Sequence, residues 1–350
     1  LYISKKYNFS NFFENLISSI NINEQDLDEF IYPNLNNNLP NPFVLKDMDK
    51  SILRAIESIK RNEKIGILAD YDVDGSTSAA ILNNFFKFLN LEISIKVPNR
   101  LSEGYGPNSR IMDEFLSENV SIVYVLDCGT TSFDIFDNQK YSDIDIIIID
   151  HHISDIKFPK VYSLINPNRY DEKNDLTDLS AVGVTFLFLM ALRKKLRDFE
   201  FYTNKNEPNL LEFLDLVAIG TICDVVRLSK LNRIFVKKGL EIIKLRNSIA
   251  IKSILDKSKL ISEPDASDIG YIIGPQINAA SRLGESNLPS KLLTSKDTEE
   301  IDSISNKLLL LNEKRKLIEN QIYEDAIKKI NINDKSKYII VFNDNWHSGV

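Results

Sequence analysis

The sequence predicts an α/β protein built on a doubly wound, mostly parallel sheet, followed by a long connecting helix and the start of a second α/β domain. Three observations carry this. Short continuous runs of apolar, largely β-branched residues, Ile65-Gly66-Ile67-Leu68-Ala69, Ile122-Val123-Tyr124-Val125-Leu126 and Ile146-Ile147-Ile148-Ile149, read as strands covered on both faces. Segments of helical periodicity alternate with them, the pattern of parallel strands joined by crossover helices. Each run is followed at once by an aspartate, Asp70, Asp127 or Asp150, at the carboxyl end of its strand, where open parallel sheets hold their ligands.

The elements follow in order. Residues 1–50 are polar and Asn-rich and read as an N-terminal extension, with one helix from Asn11 to Ile20 and a turn-rich stretch from Pro33 to Pro42. The main domain is expected over residues 51–295. Ile52, Ala55, Ile56 and Ile59 recur at helical spacing ahead of the first strand. Ser76 or Thr77 is expected to cap a helix running to Phe88, and Leu91 to Val97 alternates as a strand. Helical patterns return over Leu179–Arg197 and Leu210–Thr221. Ile301–Ile330, rich in Lys and Glu, reads as a long amphipathic helix within a connecting segment, residues 296–334. Tyr338-Ile339-Ile340-Val341-Phe342 reads as a strand opening a second domain, residues 335–350. A lone strand cannot bury both faces. With Leu1 in place of Met, the expectation is a fragment cut early in that domain.

Composition narrows the function. The chain has 350 residues, 43% hydrophobic and 27% charged, enough for a large core and too apolar for disorder. No apolar run is long enough to span a membrane, and Leu1-Tyr2-Ile3-Ser4-Lys5-Lys6 lacks the apolar block of a signal peptide, so a cytoplasmic protein is expected. The net charge of −7 excludes a uniformly basic nucleic-acid coat, though not a local basic groove. Only Cys128 and Cys223 occur, which leaves no disulfide framework and no zinc-binding CxxC pair. Both continue apolar runs and read as small buried hydrophobes.

The chemistry lies at the strand ends. Asp70-Tyr71-Asp72-Val73-Asp74-Gly75 places carboxylates at alternate positions in a tight loop before a helix, and Asp150-His151-His152 holds two of the three histidines in the chain. Carboxylates converging on one crevice repel one another and call for a cation. A calcium-binding EF-hand loop is disfavoured, because the region where it needs a Glu is the apolar Ala79-Ala80-Ile81-Leu82. Oxygen donors with imidazole and no thiolate point to Mn²⁺ or Mg²⁺. Asp224, after Leu216-Val217-Ala218-Ile219-Gly220-Thr221-Ile222-Cys223, is placed to reach the same crevice. Two ions bridged by one carboxylate favour phosphoester hydrolysis by in-line displacement. Gly75, Gly129 and Gly220 permit close backbone approach around the ligands.

The ordered set Asp70-Tyr71-Asp72-Val73-Asp74-Gly75, Asp127-Cys128-Gly129, Asp150-His151-His152 and Gly220-Thr221-Ile222-Cys223-Asp224 resembles the motifs of the DHH phosphoesterase superfamily. Further segments resemble its branch of single-strand-specific exonucleases. They are Asn41 to Lys50, Val97-Pro98-Asn99-Arg100, Glu103-Gly104-Tyr105-Gly106, Ile165-Asn166-Pro167-Asn168-Arg169, Leu179-Ser180-Ala181-Val182-Gly183-Val184, Gly274 to Leu283 and Trp346-His347-Ser348-Gly349-Val350. The likeness covers residues 41–350. It departs from the family pattern at Ala69, Gln276 and Ser281.

The resemblance implies an enzyme that degrades single-stranded DNA from the 5′ end with two Mn²⁺ or Mg²⁺ ions, in recombination and repair. A single-strand-binding protein and a RecQ-type helicase are the partners it implies. Asp70, Asp72, Asp127, His151 and Asp224 would be metal ligands, Asp127 the bridge, with Asp74 as an alternative in the first motif. His152 would act beside the scissile phosphate and Asp150 would orient the histidines. Arg100, Asn278, Arg282 and His347 would face the DNA, and Tyr71 and Tyr105 would offer stacking surfaces. A DHH-type oligonucleotide or cyclic-dinucleotide phosphodiesterase stays open as an alternative, as does a catalytically weak DNA-binding fragment.

Overall fold

The computed structural model describes residues 9–19, 22, 27–330 and 337–350. The expectations for residues 1–8, for Ile20, and for residues 331–336 of the connecting segment and second domain lie outside the described residues.

Five parallel strands form one sheet in the order β2-β1-β3-β4-β5: β1 (Ile65–Ala69), β2 (Ile93–Lys96), β3 (Ile122–Leu126), β4 (Asp145–Ile149) and β5 (Ser163–Ile165). The helices that matter for the site are α1 (Met48–Arg61), α2 (Val73–Phe88), α3 (Ser109–Ser117), α4 (Ala181–Asp198), α5 (Leu214–Cys223), α6 (Gly274–Arg282) and α7 (Thr298–Lys329). From β1 the chain returns through α2 to the edge strand β2, then crosses by way of α3 to β3 on the other side of β1. The strand order reverses between β1 and β3, and the crevice at such a reversal is where doubly wound sheets bind ligands.

Both faces are covered, which is why the strands are apolar throughout. Side chains alternate between two cores. Ile65, Ile67, Tyr124, Leu126, Ile147 and Ile149 pack into a large cluster with α1, α2, α4 and α5. Leu68, Val123, Val125, Ile146 and Ile148 pack on the opposite face with Ile111, Met112 and Phe115 of α3.

Several expectations are corrected. Helix α2 begins at Val73, so Ser76 and Thr77 lie inside it; its cap is Asp72, whose carboxylate accepts from Gly75 N at 2.9 Å. An acidic cap at the first turn outcompetes a hydroxyl four or five residues on, because it satisfies the free N–H groups and opposes the helix dipole. The Leu91–Val97 strand is confined to Ile93–Lys96, and Leu210–Phe213 forms a 3₁₀ turn before α5. Strand β5 is too short to show a period in the sequence. Tyr338–Phe342 is not a strand: no described strand lies beside it, and Tyr338, Ile340 and Phe342 are exposed. The chain just beyond is held on α7 instead, where Asn343 Nδ2 and Trp346 Nε1 both donate to Asp325 Oδ2, at 3.0 and 2.9 Å.

Helix α7 has 32 residues, a length of about 48 Å. Asp297 caps it, and Ile301, Ile304 and Leu308 bury its first half against the domain. No described helix is long and apolar enough to cross a membrane.

Candidate metal centre

The sheet ladder runs one rung past the strands and fixes three aspartates in a row. Asp70 N donates to Leu126 O at 3.1 Å, Asp127 N to Ile149 O at 3.0 Å and Asp150 N to Ile165 O at 3.1 Å. Asp127 then turns into the left-handed region at φ 61°, and its carbonyl accepts from Tyr105 Oη at 3.0 Å. An Asp tolerates that backbone better than most residues.

The first motif wraps the entry to α2. A Cβ at Gly75 would collide with the Asp70 carbonyl, so only glycine lets the loop close this tightly. Asp74, fully buried, spends its carboxylate on the N-terminus of α4, accepting from Ala181 N at 2.6 Å and Val182 N at 2.9 Å. At Gly220 a Cβ would strike Thr77 and Asp74, so its absence lets α5 dock there and deliver Asp224 from its C-terminal end. Val225, the next residue, sits at φ 59° with its side chain 87% exposed, a backbone conformation strained for a β-branched residue.

These elements bring the expected ligands together. Ligand atoms of Asp70, Asp72 and Asp127 lie within 4.8 Å of one another; the same holds for Asp74, His151 and Asp224, and for Asp127, His151 and His152. His151 Nε2 is 3.4 Å from Asp127 Oδ1, 3.5 Å from Asp224 Oδ2 and 3.9 Å from Asp74 Oδ2. Asp70 Oδ1, Asp127 Oδ1, His151 Nε2 and Asp224 Oδ2 are all buried and lack any hydrogen-bond partner. Buried polar atoms are nearly always paired, so four orphans facing one spot match a cation-binding centre.

Charge accounting agrees. Burial and then Asp72 push Asp70 up to about 8, and burial and then Asp72 push Asp224 up to about 7. Burial and neighbouring carboxylates also raise Asp74 and Asp127 well above the usual range. Burial, and then His152, lowers His151, which favours the neutral ring that binds metals. Divalent ions reverse this cost by supplying the missing positive charge.

Asp150 stands apart from this group. Its Oδ1 accepts from His151 N, His152 N and His152 Nδ1, the last at 2.8 Å, and its Oδ2 from Thr130 N and Thr130 Oγ1. Burial works against its charge, but the bonds from His152 and Thr130 prevail and hold it at about 2. The bond to Asp150 in turn raises His152.

Beside Asp224 opens a cleft of about 700 Å³ lined by Cys223, Val225, Tyr271, Asn278, Arg282 and Arg315. Arg282 donates to Gly349 O at 3.1 Å, and His347 Nδ1 accepts from Gly349 N at 3.0 Å, so the terminal motif meets this wall. Burial and then repulsion from Arg100 and Arg315 lower the Arg282 pKa, the mark of cations crowded without enough anions. Arg100 lies over the Tyr71 ring at 5.1 Å, so Tyr71 is covered by a guanidinium on that side. Tyr105 braces Asp127 and also lies 3.4 Å from His152 Nδ1. Sequence reasoning missed that brace, and it missed Arg315. The Arg sits on α7, whose polar repeat gave no sign that one turn faces the cleft.

Residues 64–221 match the model of the DHH family, N-terminal domain. The chain is 31% identical over 320 residues to the single-stranded-DNA-specific exonuclease RecJ of Haemophilus influenzae, covering 89% of this chain and 55% of that protein. Its fold is similar to the crystal structure of exonuclease RecJ bound to manganese, with a TM-score of 0.76 and 28% identity, over 89% of this chain and 75% of that one. It is also similar to RecJ of Thermus thermophilus in complex with Mg²⁺, with a TM-score of 0.67 and 25% identity, over 92% of this chain and 42% of that one. The chain spans about half the length of the curated relatives it matches. With the motifs in order and gathered at the reversal point of the sheet, residues 64–221 match the DHH family, and both sequence and fold of the chain resemble the RecJ exonucleases.

Proposed function

We propose that this chain carries the catalytic centre of a single-stranded-DNA-specific 5′-to-3′ exonuclease that uses two Mn²⁺ or Mg²⁺ ions in DNA recombination and repair. The observation behind it is the set of four partnerless buried ligand atoms, with Asp127 common to two of the three ligand groups. Asp70, Asp72 and Asp127 would hold one ion, and Asp127, His151 and Asp224 the other, with Asp74 at its edge. Bound divalent ions supply Lewis acidity to the phosphodiester and to the attacking water.

The chain does the rest. Asp150, held as an anion, fixes the His152 ring and favours its protonated form, which serves as a donor at the scissile phosphate. Arg100, Asn278, Arg282 and His347 would hold the strand backbone, sequence-independently. Residues 51–295 would form the catalytic domain, 1–50 an extension over it, 296–334 the connection and 335–350 the start of a second domain. A single-strand-binding protein and a RecQ-type helicase are partners implied by the family resemblance, and action in the cytoplasm fits the two free cysteines.

Cleavage of 5′-labelled and 3′-labelled long single strands, matched duplex and two- to five-residue oligomers, each with and without Mn²⁺, tests this. Mn²⁺-dependent release of the 5′ label from long single strands is expected. Attack on the short oligomers alone would transfer the chain to an oligonucleotide phosphodiesterase.

A further inference from the structure

Past Asp150 the chain leaves the sheet, and its backbone groups need new partners. The N–H groups of His151 and His152 both go to Asp150 Oδ1, at 2.7 and 3.2 Å. Their carbonyls are taken by two side chains from the loop after β5: Asn168 Nδ2 donates to His151 O at 2.7 Å, and Asn166 Nδ2 donates to His152 O at 2.8 Å. The two carboxamides are themselves locked. Asn166 is fully buried; its second amide proton reaches Thr130 Oγ1 at 2.9 Å and its Oδ1 accepts from Asn168 N at 2.7 Å. The second proton of Asn168 reaches Thr177 O at 3.0 Å. Every donor proton of both side chains is thereby used. Because Thr130 Oγ1 receives from Asn166, its own proton is directed to Asp150 Oδ2, at 2.6 Å. Pro167 between the two asparagines has no N–H to satisfy and a fixed φ, which stiffens the loop.

We propose that Asn166 and Asn168 are positioning residues that clamp the two histidines separately, Asn168 aiming His151 at the metal pair and Asn166, with Thr130, aiming His152 and Asp150 at the reacting phosphate. This rests on the roles given to the two histidines above. The division follows from the bonds: within the Asp150–His152 turn the Asn168 side chain reaches the His151 carbonyl alone, its other proton going to Thr177 O, while Asn166 holds the His152 carbonyl and the Thr130 to Asp150 link. Residues that merely filled the loop would affect stability alone.

The test uses the whole chain and two readouts, calorimetric titration with Mn²⁺ and steady-state cleavage of a single strand. Asn168→Ala is expected to weaken Mn²⁺ binding about tenfold, the scale of losses when a ligand's hydrogen-bonding support is removed. Asn166→Ala is expected to leave Mn²⁺ affinity within about twofold while kcat falls about tenfold at unchanged KM. Thr130→Val should follow Asn166→Ala, and Thr130→Ser should restore the parent values; this pair carries the test if the Asn variants do not fold. Parent-like Mn²⁺ affinity and kcat in all variants, or equal losses of both readouts in Asn166→Ala and Asn168→Ala, would overturn the proposal. If the parent chain itself does not cleave, that counts against the exonuclease reading, and the Mn²⁺ titration of Asn168→Ala still decides the clamp on His151.

Discussion

His151 Nε2 faces Asp127 Oδ1 across 3.4 Å, both atoms buried and neither hydrogen-bonded. Two elements separated by the width of a strand thus present bare ligands to each other, and the energetics of the site turn on what lies between them.

Replacing Asp127 by Ala removes the shared carboxylate and relieves repulsion among the acids around it. Turnover should be lost, and melting without metal should be unchanged or higher than in the parent. Saturating Mn²⁺, at about 100 times its dissociation constant, should stabilise the parent by about 2.7 kcal/mol and the variant by far less. Thermal melts with EDTA and with Mn²⁺ measure this; an undiminished Mn²⁺ effect in the variant would remove Asp127 from the centre.

Arg100 has no carboxylate in ion-pair reach among the described residues, only the Tyr71 ring beneath it. Arg100→Ala should weaken single-strand binding by about 1 kcal/mol and lower the slope of log K against log salt by about 1. Fluorescence anisotropy across a salt series reports both. A slope equal to that of the parent would place Arg100 off the strand.

Val225 holds a left-handed backbone next to Asp224 with its side chain exposed. Val225→Gly relieves the strain but loosens the unfolded chain, and the net should be a gain of about 1 kcal/mol in the metal-free protein. Urea unfolding in EDTA checks it.

Asp215, in the first turn of α5, is 6% exposed and raised by burial to about 6 from 3.8. The folded state therefore keeps a proton that the unfolded state has lost, so its contribution is lost as pH climbs from about 4 through about 6. Asp215→Asn should exceed the parent in stability at about pH 8 by on the order of 2 kcal/mol and show no such gain at about pH 4. Melts at the two pH values separate this from a uniform effect.

The sheet and the convergence of its strand-end acids with His151 were legible because both are written locally. A run such as Ile146 to Ile149 needs cover on two faces, and an acid directly after it has only one place to go. What escaped was set by distant partners. The Asp72 cap is the local exception: Gly75 lets the loop close over the Asp70 carbonyl, so Asp72 and not Ser76 or Thr77 meets the free N–H groups. The Tyr105 hydroxyl binds the Asp127 carbonyl 22 residues away, a contact that no local pattern shows. Asn166 and Asn168 stood in a quoted motif, yet their acceptors, the two histidine carbonyls, lie across the β4 to β5 connection. The apolar Tyr338–Phe342 run has strand composition, and pairing depends on a neighbour no local pattern supplies.

The rung that each aspartate adds beyond its strand has a consequence for when the site exists. Asp70, Asp127 and Asp150 are anchored by the amides of the sheet itself, so no local opening can release their main chain while the strands stay zipped. Amide protons at these three positions should exchange with solvent only through global unfolding, and a nascent chain acquires its acidic crown in the same cooperative event that closes the sheet.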